Sequence, residues 1–99
     1  MTREQQTRLK VRAQVLKAIA HPSRLLIIEE LARQERCVNE LTAMVGADMS
    51  TVSKHLTVLK NVGLIEDDKR GTMVYYRLRT PCIQNVFACV ERALQERGR

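Results

Sequence analysis

Val38-Asn-Glu-Leu-Thr-Ala-Met-Val-Gly-Ala-Asp-Met-Ser-Thr-Val-Ser-Lys-His-Leu-Thr-Val-Leu-Lys-Asn-Val62 holds two short helical patterns parted by Gly46, Ala47 and Asp48. Leu41, Met44 and Val45 mark the apolar side of the first, about Val38 to Val45. Val52, Leu56 and Leu59 mark that of the second, about Met49 to Val62. Gly46 suits a left-handed C-cap, which glycine adopts without steric cost. The Asp48 carboxylate can accept the orphan N–H groups that open the next helix. Two short helices so closely joined make a helix-turn-helix, whose second helix lies in a major groove of DNA.

Beyond Gly63 the period changes from helical to two. Val74, Tyr76 and Leu78 alternate with Met73, Tyr75 and Arg77, and Arg70-Gly71 parts this run from Leu64-Ile-Glu-Asp-Asp68. A β-hairpin with a basic tip of Lys69 and Arg70 is predicted. Pro81 opens a last helix, Cys82 to Glu96, with Ile83, Val86, Phe87, Val90 and Leu94 apolar. On the N-terminal side, the first 20 residues read as a helix with Leu9, Ala13, Leu16 and Ala20 at helical spacing. A second helix runs from Pro22, at its N1 position, to about Arg33, with Leu25, Ile28, Leu31 and Ala32 as its buried stripe. The expected fold is mainly α with a small β-hairpin: a winged helix-turn-helix of four helices, two strands and a fifth helix. It forms one domain over 1–99, with the helix-turn-helix at 38–62, the wing at 64–79 and the last helix at 82–96.

Composition narrows the function. A formal net charge of +6 favours a polyanionic partner, nucleic acid before anionic membrane. With one Phe, two Tyr and no Trp, the core must be aliphatic. The longest apolar run, Leu25 to Ile28, falls far short of the roughly 18–20 residues that span a bilayer. The start, Met1-Thr-Arg-Glu-Gln-Gln6, has no apolar signal region, so a cytoplasmic protein without membrane contact is expected. There Cys37, Cys82 and Cys89 are reduced thiols. No glycine-rich phosphate loop or Ser-His-Asp pattern supports an enzyme.

The residues expected to face DNA are Met49, Ser50, Thr51, Ser53, Lys54 and His55 on the second helix, and Lys69 and Arg70 on the wing. Hydroxyls reach bases or phosphates, and Lys54 gives a charge-assisted bond to phosphate or guanine. No acid interrupts this stretch between Asp48 and Glu66, whereas an ordinary solvated helix mixes both signs. The plainer alternatives are an amphipathic surface helix and a structural hairpin. For His55 both DNA contact and local packing stay open. No Cys or second His lies three or four residues from it, so a metal has no local support. His21 reads as a helix-start residue.

Leu16-Lys-Ala-Ile-Ala-His-Pro-Ser-Arg-Leu-Leu-Ile-Ile28 resembles the junction of the first two helices in the ArsR/SmtB repressors. Thr51-Val-Ser-Lys-His-Leu-Thr-Val-Leu59 resembles their recognition helix. Gly63-Leu-Ile65 with Val74-Tyr-Tyr-Arg-Leu78 resembles their wing. The resemblance covers roughly residues 16 to 96. It implies a homodimer joined through the first and last helices, bound to double-stranded operator DNA and released by an inducer. Inducers in that family are often metal or metalloid ions, but also sulfur species and small molecules.

The family's metal sites are only half present. Where arsenic sensors carry three cysteines, this chain has Cys37, Asn39 and Thr42. A zinc version would use Cys37 and Glu40, but its other half comes from an N-terminal Cys or His, and residues 1–12 have neither. At the last-helix zinc positions stand Thr80, Cys82, Ala93 and Glu96. Cys82 and Cys89 share a helix face but lie about 10 Å apart along it. One helix cannot bring both sulfurs to one ion, whereas two antiparallel copies could pair Cys82 of one with Cys89 of the other. Three readings stay open: a soft metal or metalloid site at Cys82 and Cys89 with Cys37 as a third member, redox or sulfur sensing, and cysteines that simply pack.

Overall fold

Side chains of Thr2, His21 and Asp48 cap helix starts in the computed structural model, which describes residues 1–98. Thr2 opens α1 (Arg3–Ile19) with a reciprocal box: its hydroxyl accepts the Gln5 N–H at 3.1 Å, and its own N–H donates to Gln5 Oε1 at 2.9 Å. His21 opens α2 (Pro22–Arg33) by accepting the Ser23 N–H on Nδ1 at 3.1 Å. A two-residue strand, β1 (Arg36–Cys37), runs straight into α3 (Val38–Val45). Gly46, at φ 75°, ends α3, and Asp48 caps α4 (Met49–Asn61). The hairpin β2 (Ile65–Arg70) and β3 (Met73–Leu78) follows, then α5 (Ile83–Arg97), with Cys82 in the turn before it.

The hairpin is as expected, with Ile65 opposite Leu78 and Arg70 opposite Met73. The added element is β1, which places Arg36 opposite Tyr76 and Cys37 opposite Tyr75 and makes the sheet order β1-β3-β2. Two residues cannot display a period, so the strand is legible only from its partner.

The core is aliphatic. Ile27, Ile28, Leu41, Val52, Leu56, Leu59 and Ile65 are almost wholly enclosed, drawn from α2, α3, α4 and β2. The α2 stripe is rotated from expectation: Leu25 is exposed, while Ile27 and the carboxylate of Glu30 are buried. Arg36 holds Glu30 Oε1 at 2.7 Å and Arg33 holds Oε2 at 3.1 Å. Paired charges are the condition on which a carboxylate enters a core.

The predicted stripe of α1 also faces away from this core. Leu9, Leu16 and Ala20 are exposed, and Ala18 and Ile19 are the buried residues of that helix. On α5, Ile83 is buried while Val86, Val90 and Leu94 are exposed. Between α1, α2 and α5 runs an apolar groove of about 380 Å³, floored by Leu16, Ile19, Leu25, Val86, Phe87 and Val90.

His55 is a further correction. It was expected among the outward residues of α4, but it points inward and is only 9% exposed. Its Nδ1 accepts from Arg24 Nε at 3.0 Å, and its ring lies 4.5 Å from that of His21. Arg24 also reaches the Ala18 carbonyl, at 3.4 Å. Position i+3 from Val52 turns His55 toward the core side of the helix, and Arg24 supplies the donor that makes its burial tolerable.

An acceptor Nδ1 requires a neutral ring. Burial first, then the nearby His21 and Arg24, push the His55 pKa below its ordinary value of 6.5. The folded chain therefore binds this proton less readily than the unfolded chain. The stabilisation is complete above about pH 6.5 and is lost as the pH falls. Thermal unfolding followed by circular dichroism from about pH 8 to pH 5 should show a falling Tm. His55→Gln should flatten that decline, and an equal decline in the variant would remove His55 as its source.

Candidate nucleic-acid interface

The α3–α4 turn fixes which side chains α4 presents. Asp48 Oδ1 accepts the Thr51 N–H at 2.7 Å and the Ser50 hydroxyl at 2.8 Å. These bonds, the Thr51 N–H first, hold the Asp48 carboxyl below the usual range. The first turn of α4 is thereby pinned, and Val52, Leu56 and Leu59 lock its inner side into the core. The opposite side is forced outward.

On that outward side stand Met49, Ser50, Thr51, Ser53 and Lys54, all exposed. The Ser50 proton is already committed to Asp48, so its hydroxyl is left as an acceptor. Thr57 joins the set one turn beyond Ser53. It is exposed, and its hydroxyl donates to the Ser53 carbonyl at 2.9 Å. The i+4 spacing from Ser53 carried that signal in the sequence. Farther along, Lys60 is exposed but paired with Asp67 of β2 at 3.0 Å, which ties the end of α4 to the wing.

The two basic wing residues are not equivalent. Adjacent strand residues point to opposite faces of a sheet. Lys69 is exposed, and among the described residues no carboxylate lies within ion-pair distance of it. Arg70, expected as its companion on DNA, is engaged by Glu35 at 2.6 Å and Asp68 at 3.0 Å. Glu66 and Arg77 pair across the hairpin at 2.7 Å.

The cysteines are not brought together. Cys37 is buried at the start of α3, where its N–H donates to Glu40 Oε1 at 3.0 Å. That bond, with a second from Arg36, lowers the Glu40 pKa to about 2. Cys82 and Cys89 are exposed. Among the described residues of one chain, no three His, Cys, Asp or Glu side chains form a metal-binding group. A site joining Cys37 to Cys82 and Cys89 within one chain is therefore not formed. No described helix is long and apolar enough to cross a membrane.

Comparison with known proteins agrees with this architecture. The family model for bacterial regulatory proteins of the arsR family matches residues 21–67. The HTH-type transcriptional regulator Rv0324 of Mycobacterium tuberculosis is 37% identical over 84 residues, covering 85% of this chain and 37% of that protein. A transcriptional repressor SmtB homolog of Synechocystis is 38% identical over 84 residues, covering 85% of this chain and 64% of its own length. The chain thus spans between about a third and two thirds of the length of these two relatives. The winged helix-turn-helix DNA-binding domain Mb0332 of Mycobacterium bovis, solved as a homodimer, superposes with a TM-score of 0.82. It is 33% identical and covers 98% of this chain and 90% of that one. The chain belongs to the ArsR family of bacterial regulatory proteins and has their winged helix-turn-helix fold.

Proposed function

We propose that the chain is a homodimeric transcriptional repressor that binds operator DNA in the cytoplasm and leaves it when an inducer acts on α5. The observation that carries the reading is the acid-free outer side of α4. Met49, Ser50, Thr51, Ser53 and Lys54 are exposed there, and the wing adds an exposed Lys69 that pairs with no carboxylate among the described residues. One helix with this surface fits one major groove, with Lys69 on the flanking phosphates. The Synechocystis relative is named a repressor, and the M. bovis domain is a homodimeric DNA-binding domain. Both support the same assignment.

The apolar surface supports dimerisation through α1 and α5. Val86, Val90 and Leu94 on α5 and Leu9 and Leu16 on α1 are exposed, and the groove of about 380 Å³ lies between the two helices. A second copy laid against α1 and α5 covers both. Two recognition helices about one DNA turn apart, roughly 34 Å, then read a two-fold symmetric operator.

The exposed thiols of Cys89 on α5 and of Cys82 in the turn just before it are the candidate sensing groups. Each chain offers two, and antiparallel helices would bring one from each together. Such a pair takes a soft ion, or gives up two protons and two electrons to an oxidant as it closes into a disulfide. Either event changes how the helices pack. A ligand that favours the DNA-free form by about 3 kcal/mol lowers operator affinity about a hundredfold.

Lys69→Ala should weaken binding to all duplexes and make the plot of log affinity against log salt shallower by about 0.9, the share of one phosphate. Changes at Ser50, Thr51, Ser53 or Lys54 should instead alter which sequences a random-library selection returns. An unchanged salt slope in Lys69→Ala would sink the wing contact.

Val90→Asp leaves the chain's own core untouched, because Val90 is 53% exposed. In a dimer it would bury an unpaired charge. Light scattering should report half the parent mass, with operator binding lost. A dimer of parental mass would move the interface elsewhere.

Cys82→Ser and Cys89→Ser should keep operator binding and lose release by arsenite, cadmium, a persulfide donor or an oxidant. Release at parental concentrations in both variants would assign induction to a molecule bound elsewhere and leave the cysteines as packing residues.

A further inference from the structure

Arg70 spans the sheet. Its Nε donates to Asp68 Oδ2 on the same strand at 3.0 Å. Its guanidinium then lies over the Tyr75 ring of β3, 4.6 Å from the centroid. Its two terminal nitrogens reach Glu35, just before β1, and donate to its two carboxylate oxygens at 2.6 and 2.9 Å. One side chain thus bridges β2, β3 and the approach to β1, in the order in which the strands lie. The bonds are mutual in effect: Glu35 is held below the usual carboxylate range, Arg70 being the first cause, and Arg70 is held above its own.

Two consequences follow. The group formed by Arg70, Asp68 and Glu35 carries one positive and two negative charges, so it does not attract phosphate as a lone arginine does. And β1 pairs only with Tyr75 and Tyr76, so the hairpin tip from Lys69 to Val74 is a two-stranded ribbon beyond the edge of β1. Isolated two-stranded ribbons are marginal in water. What ties this tip back is the bridge to Glu35, and Glu35 leads through Arg36 and Cys37 directly into α3 of the helix-turn-helix.

We infer that Glu35 and Arg70 are positioning residues for DNA binding: they clasp the wing tip to the helix-turn-helix and fix where Lys69 stands relative to α4. The inference rests on the DNA-binding reading for its function, but the clasp itself can be measured without DNA.

The test uses the full chain with Glu35→Gln, Arg70→Ala, the double variant and Lys69→Ala. In free protein, amide hydrogen exchange at Lys69–Val74 should quicken in Glu35→Gln and in Arg70→Ala, with α4 unchanged. On a fixed mixed-sequence duplex followed by fluorescence anisotropy across a salt titration, each single variant should weaken binding about fivefold. The salt slope should stay parental in both, and the double variant should be no weaker than either single one, as for two residues of one contact. Lys69→Ala, in contrast, should change the slope. A slope shallower by about one phosphate in Arg70→Ala, or tighter binding by Glu35→Gln, would overturn the inference and make Arg70 a DNA contact that Glu35 masks. Unaltered exchange at the tip would overturn it as well. A parent chain that binds no duplex at any salt, with exchange at the tip still quickened by both variants, would instead overturn the DNA-binding reading and leave the clasp standing.

Discussion

A buried carboxylate organises this small protein. Glu30 lies inside the last turn of α2 at 4% exposure, and a charge there is tolerable only with partners in fixed places. Arg36 is the decisive one, reaching Glu30 with one side of its guanidinium and Glu40 with the other at 2.8 Å. Glu40 in turn accepts the N–H of Cys37. The end of α2, the strand β1 and the first turn of α3 are thus joined by one run of charge-assisted bonds. α3 sets the angle of α4 through the turn at Gly46, and β1 gives the wing its third strand. Removing Arg36 would leave the buried Glu30 carboxylate with Arg33 alone, and removing Glu30 would leave Arg36 with Glu40 alone, so either change weakens the whole run.

Much of the architecture was legible because the signals were local and redundant. Pro22, Gly46, Asp48 and Gly63 mark boundaries by backbone chemistry that does not depend on tertiary contacts, and all four stand at the expected helix ends. The alternation from Met73 to Leu78 needed no partner to be read as a strand. The inner face of α4 was equally plain, since Val52, Leu56 and Leu59 fit a single stripe. Each of these features reports on its own residue and its nearest neighbours.

The features that the sequence hides depend on pairing at a distance. His55 looked like one more polar residue on an outward face, and only the donor from Arg24, 31 residues earlier, explains its burial. Arg70 looked like a free cation because its partner Glu35 lies 35 residues away. Hydropathy alone ranks the Glu30 carboxylate as exposed, and its pairing with Arg36 reverses that ranking. The apolar stripes of α1 and α5 were real, yet their periodicity could not say whether this chain's own core or another surface would cover them. Charge patterns in one dimension count ions; whether an ion is spent is a three-dimensional fact.

The exposure of α1 carries a consequence for the life of the protein. Of its 17 residues, Ala18 and Ile19 are the buried ones, both in the last turn. A helix of this length with so little tertiary support is marginal in water. If a second copy covers it, its order becomes a function of how many copies are present. At low abundance the dissociated chain would carry a fraying N-terminal segment that proteases can engage, whereas at high abundance the same segment would be sheltered. A regulator built this way would have a lifetime that rises with its own concentration, so its cellular level would be set partly by self-protection and not by synthesis alone.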